Sequence, residues 1–128
     1  MNLVVVGLGS NIDPEVNIRT ALQRIPELAE IRSQTDILRT EPVGAPGQPW
    51  FMNCAVLLTT ELSLEELEIR LRDIEGSMGR PCEGDRSGPR TIDLDVLVWN
   101  GTVVDEDVYS RSFLCNEVRA LCPDLEPC

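Results

Sequence analysis

Two aspartates, Asp93 and Asp95, stand two residues apart in the run GPRTIDLDVLVW, residues 88–99. Ile92, Leu94, Val96 and Val98 alternate with them, which predicts a β-strand with one apolar face. On a strand, residues i and i+2 point the same way, roughly 7 Å apart at the backbone. Two carboxylates at that spacing repel each other, and they suit one or two hard divalent cations. Mg²⁺ ordinarily takes one or two carboxylates, substrate phosphates and several waters. A two-metal site of this kind would neutralise charge in phosphoryl transfer. Taken alone, the same pattern also describes a strand with one solvated face.

The approach to the pair favours the first reading. Arg80, Arg86 and Arg90 lead into it, and arginine is the planar, bidentate partner of phosphate. All 11 basic residues are arginine; lysine and histidine are absent. Without lysine a Walker-type phosphate loop is excluded, and Gly7-x-Gly9 continues as Ser10-Asn11 rather than as a dinucleotide fingerprint. Without histidine the commonest general base and zinc ligand are missing. The net charge of −11 argues against nucleic-acid and anionic-membrane partners. The five cysteines are odd in number and form no C-x-x-C pair, so reduced, structural thiols are expected.

The elements that must position these residues follow from periodicity and punctuation. Residues 2–7 (NLVVVG) read as an apolar strand and Gly9-Ser10-Asn11 as a turn. Asp13 then serves as N-cap, with Pro14 at the first helical position. Ile18, Ala21, Leu22, Ile25, Leu28 and Ala29 have helical spacing, which Pro26 curtails. Residues 31–40 read as a second strand, 41–49 as a loop and 51–60 as a third strand. Ser63 and Glu66 form a capping box for a helix whose core stripe is Leu67, Leu71, Ile74 and Met78. Residues 79–88 make a polar loop before the aspartate strand, and a short helix is expected near 113–121. The order is α+β, a ferredoxin-like βαββαβ antiparallel sheet with helices on one face. The 128 residues are expected to form a single domain. No apolar run would span a bilayer and the N-terminus lacks a signal pattern, so a cytoplasmic protein is expected.

Four segments, in order, carry a resemblance: GLGSN at 7–11, RTEPVGAPGQPWFMNCAV at 39–56, IEGSMGR at 74–80 and GPRTIDLDVL at 88–97. The chain resembles the 6-hydroxymethyl-7,8-dihydropterin pyrophosphokinase family of folate biosynthesis. The resemblance implies the ferredoxin-like fold and the transfer of diphosphate from ATP to a reduced pterin, giving AMP. It implies that Asp93 and Asp95 bind two Mg²⁺ ions, and that Arg80 and Arg90 contact the triphosphate and stabilise charge in transfer. It puts the pterin between Phe51 and Phe113, with Asn53 on its edge and Thr40 and Val43 beside it. It places Glu75 near the nucleotide and Arg111 near the phosphates, with mobile loops at 41–49 and 81–88. ATP and the pterin would be the partners of a monomer or weak homodimer.

The chain also departs from that pattern. Ser87 stands where an aromatic residue is usual, and Cys82 and Glu83 follow Pro81 where bases are usual. The segment GTVVDEDVYSR, 101–111, is short, acidic and without histidine. Many family members also run on past the position of Cys128. The ATP-covering half is therefore expected to be reduced, giving weaker ATP binding, slower turnover or a changed donor. A non-catalytic pterin- or nucleotide-binding relative with a regulatory role is the alternative.

Overall fold

Seven consecutive buried residues, Val4 to Ser10, make β1 (Asn2–Ser10) the centre of the molecule. A strand covered on both faces has no reason to alternate, which is why NLVVVGLG reads as one apolar run. The strand continues through Gly9 and Ser10, where a turn was expected. The structure is a computed structural model that describes residues 1–40, 50–79, 91–125 and 127. The expected loops at 41–49 and 81–88, with Val43, Arg80, Arg86 and Arg90, lie outside the described residues.

The chain then runs through α1 (Pro14–Arg24), β2 (Glu30–Gln34), β3 (Leu38–Thr40), β4 (Phe51–Thr60), α2 (Leu64–Ser77), β5 (Asp93–Trp99), β6 (Thr102–Val103), α3 (Asp107–Ser110) and α4 (Ser112–Leu121). The sheet is antiparallel in the order β2-β4-β1-β5-β6, with β3 also on β4. The strand expected at 31–40 is thus two pieces on one partner. Asp13 precedes α1 with a left-handed φ of 39° and makes no side-chain cap, so only Pro14 performs as expected there. Pro26 ends the α-helix at Arg24 and leaves a single 3₁₀ turn. The capping box of α2 forms in full: Ser63 Oγ accepts from Glu66 N at 3.1 Å, and Glu66 Oε1 from Ser63 N at 3.1 Å.

Helices cover both faces of the sheet, not one. Ile18, Ala21 and Ile25 from the α1 region, and Leu67, Leu71 and Ile74 of α2, pack on Val4, Val6, Leu8, Val56, Leu58 and Leu94. Val108 of α3 and Val118 of α4 pack on Val5, Ala55, Leu97 and Val98 on the other face. The strand β5 belongs to both cores. Its register against β1 shifts between Val5 and Val6, which pair with Val98 and Val96, so Leu97 is the extra residue of a bulge. Ile92, Leu94 and Val96 join the first core as the alternation predicts; Val98 does not, because the bulge turns it to the second. Cys115 is disulfide-bonded, against the expectation of reduced cysteines, while Cys54 and Cys122 carry free thiols.

Candidate active site

Antiparallel pairing places directly opposed residues on the same face. Gly9 is opposed to Asn53 on β4 and to Asp93 on β5, and Gly7 is opposed to Ala55 and Asp95. One row therefore reads Asn53–Gly9–Asp93, and the next Ala55–Gly7–Asp95. Phe51 lies two residues before Asn53 on the same face, paired with Thr40 of β3. The two glycines leave a trough between the amide and the acid pair, which stand two strands apart, or roughly 10 Å at the backbone. A Cβ on Gly9 would lie 2.7 Å from Asn53 Oδ1 and 3.8 Å from Phe51 Cδ1. Glycine leaves the Asn53 amide room to lean over the strand. Asn53 Nδ2 also donates to Thr40 Oγ1, which fixes the direction of the amide.

The structure thus brings Thr40, Phe51, Asn53, Asp93 and Asp95 to one face. Phe113 and Arg111 belong to the start of the helix that covers this face: Phe113 is half-buried in the first turn of α4, and Arg111 precedes it, 3.6 Å from Asp107. Glu75 is elsewhere. It is buried on α2, where Oε2 accepts from the Leu94 N–H at 2.7 Å and Oε1 meets Arg72 Nη1 at 2.9 Å. Arg72 was not singled out in the sequence. A single arginine on an exposed helix face carries no local signal, and two of its partners, Leu94 and Asp95, come from a strand about twenty residues away.

Asp93 is half-buried. Asp95 keeps 53 % of its side-chain surface, with Arg72 Nη2 at 3.4 Å from Oδ1. Despite that exposure, desolvation is the largest influence on the Asp95 carboxyl and raises its pKa. Arg72 opposes the rise, and Asp93 and Asp105 add to it. A cation would relieve this crowding of negative charge. Among the described residues no three acidic, cysteine or histidine side chains gather into a cage of their own. The pair fits Mg²⁺ as an oxygen platform whose remaining ligands are phosphate and water. Beside Asp95 opens a cleft of about 500 Å³, lined by Leu64, Arg72, Val96, Val104 and Asp107, with Glu68, Asp105 and Glu106 adding negative charge. It lies along the edge of β5 that β6 leaves bare, since β6 pairs only with Val98 and Trp99.

The sheet trough thus has an amide at one wall and a pair of carboxylates at the other. Comparison with known proteins then gives the family. The profile of the 7,8-dihydro-6-hydroxymethylpterin-pyrophosphokinase family matches residues 5–123, and the chain belongs to that family. Among curated relatives, the 2-amino-4-hydroxy-6-hydroxymethyldihydropteridine pyrophosphokinase of Methylorubrum extorquens is 35 % identical, over 98 % of this chain and 85 % of its own length. The protein of the same name from Bacillus subtilis is 33 % identical over 98 % and 81 %. That from Pseudomonas aeruginosa is 33 % identical over 95 % and 82 %.

Proposed function

We propose that this chain transfers diphosphate from ATP to the hydroxymethyl group of 6-hydroxymethyl-7,8-dihydropterin, releasing AMP, as a step of folate biosynthesis. The row Asn53–Gly9–Asp93 carries the reading. It sets a hydrogen-bonding group for a heterocycle one glycine away from the platform for a polyphosphate. Family membership and relatives named as pyrophosphokinases support it. The strand order, with β2 and β3 taken as one split strand, supports the ferredoxin-like βαββαβ arrangement working as one domain.

The pterin lies on the trough between the rings of Phe51 and Phe113, its edge bonded to Asn53, with Thr40 orienting the amide and Val43 beside it. The substrate hydroxyl attacks the β-phosphorus and gives up its proton to water, the bond from that phosphorus to the α-phosphate oxygen breaks, and AMP departs with that oxygen. No protein nucleophile is needed, so catalysis is positioning plus electrostatics. Asp93 and Asp95 hold two Mg²⁺ ions, which when bound neutralise charge on the phosphates. Arg80 and Arg90 contact the triphosphate and Arg111 stands near it. The nucleoside lies in the cleft beside Asp95, where an acidic wall weakens its binding. Glu75 acts through β5 rather than on the nucleotide. The protein works in the cytoplasm as a monomer or weak homodimer; no helix among the described residues is long and apolar enough to cross a membrane.

Replacing Asp95 separates these roles. Asp95→Ala is expected to lower Mg²⁺-dependent AMP formation by about 10²- to 10³-fold, in line with the loss of an electrostatic group acting in the transition state. Its circular dichroism and pterin affinity are expected to stay unchanged. A variant that loses its fold, or keeps its activity, would show that Asp95 is not a metal ligand on an open face.

A further inference from the structure

Leu94, between the two aspartates, buries its side chain in the core, but its N–H and C=O point off the edge of β5 beyond the reach of β6. Buried backbone groups need partners, and α2 supplies both. The Leu94 N–H donates to Glu75 Oε2 at 2.7 Å, and Arg72 Nη2 donates to the Leu94 carbonyl. Arg72 Nη1 lies 2.9 Å from Glu75 Oε1, and Nη2 lies 3.4 Å from Asp95 Oδ1. One guanidinium therefore engages a backbone carbonyl, a buried carboxylate and an aspartate of the acid pair. An isolated surface ion pair contributes little. This one is anchored, because the Glu75 side chain is 3 % exposed against 41 % for Arg72.

We propose that Arg72 is a positioning residue for the cation-binding strand: braced by Glu75, it holds the Leu94 edge and orients the Asp95 carboxylate for a divalent cation. The inference rests on the reading of Asp93 and Asp95 as cation ligands. Arg72 also lines the cleft beside Asp95, but in this role it acts through the Asp95 carboxylate and not on a substrate. It sets the direction of a ligand before the ligand is used, and such outer partners are worth 10- to 100-fold in metal affinity. The planar fork matters, since a lysine ammonium cannot span all three acceptors in one plane. The rival role, a stand-in cation that a metal must displace, predicts the opposite sign.

The test is Mn²⁺ titration by electron paramagnetic resonance, with a non-hydrolysable ATP analogue present. Arg72→Met is expected to weaken Mn²⁺ binding about 10- to 100-fold while pterin affinity stays close to wild type; the thermal midpoint falls, because the buried Glu75 carboxylate loses its partner. Arg72→Lys is expected to recover part of the loss. Unchanged or tighter Mn²⁺ binding in Arg72→Met overturns the proposal. If Arg72→Met does not fold, Arg72→Lys decides: a smaller loss in the same direction supports the role, and wild-type affinity overturns it. Asp93→Asn serves as the control. Wild-type protein taking up no Mn²⁺ that Asp93→Asn loses would overturn the reading of the acid pair, and this inference with it. Mn²⁺ uptake that depends on Asp93 but not on Arg72 would overturn the inference alone.

Discussion

A hydrogen atom in place of a methyl group at Gly9 decides whether Asn53 can lie over the central strand. The atom that would be crowded is the end of a side chain, so the sheet can absorb an alanine but the amide cannot stay where it is. Gly9→Ala is therefore expected to weaken pterin binding about tenfold, the worth of roughly one hydrogen bond. Stability should change by less than about 1 kcal/mol. A fluorescence titration and a thermal melt check both halves; unchanged binding would mean that Asn53 does not touch the ligand. The acid pair was legible in the sequence because its signal is local, two like charges on an otherwise apolar alternation. Gly9 was not. Glycine, serine and asparagine in a row are good turn formers, and only pairing with Asn53 and Asp93 shows them as strand. Arg72 escaped for the same reason, and the contact of Glu75 with β5 did too, since the partner is a strand edge remote in the sequence.

Among the elements, α4 carries the least expected feature. Glu117 is 4 % exposed on the helix face turned to the sheet, and its Oε2 has no partner among the described residues. Burial pushes its carboxyl up to about 7. On β4 its charge adds to the burial that takes the Cys54 thiol to about 12; β1 offers no ionisable side chain. A folded carboxyl raised from its ordinary value near 4.5 binds its proton more tightly than the unfolded chain does. Its contribution to stability is full below about pH 4.5 and is lost as the pH rises to 7. The loss is on the order of 3 kcal/mol. Glu117→Gln should then melt higher than wild type at pH 8, with the difference shrinking toward pH 5. Parallel curves at every pH would mean that the carboxyl is not buried unpaired. Elsewhere the local grammar was sufficient: β4 and the capping box of α2 fall where periodicity and capping chemistry put them. It failed at Val98, because a bulge is set by pairing against β1, and at α4, because an apolar helix stripe does not say which face of a sheet it will cover.

For the molecule as a whole, the net charge of −11 and the acidic wall of the cleft beside Asp95 would set the terms on which a nucleotide binds under the proposed function. An anionic triphosphate is repelled by such a surface, so it should enter as its magnesium complex. The central strand joins the Asn53 wall, proposed for the pterin, to the Asp93–Asp95 pair, proposed for the phosphates, and the two cores hold that strand from both sides. The central claim is the coupling of those two walls in one transfer. The measurement that tests it most directly is chromatographic detection of AMP from purified protein with MgATP and 6-hydroxymethyl-7,8-dihydropterin. The account predicts AMP formed one-for-one with diphosphorylated pterin, and only when Mg²⁺ and pterin are both present. ADP in place of AMP, AMP without pterin, or no AMP from folded protein that binds both substrates would contradict it.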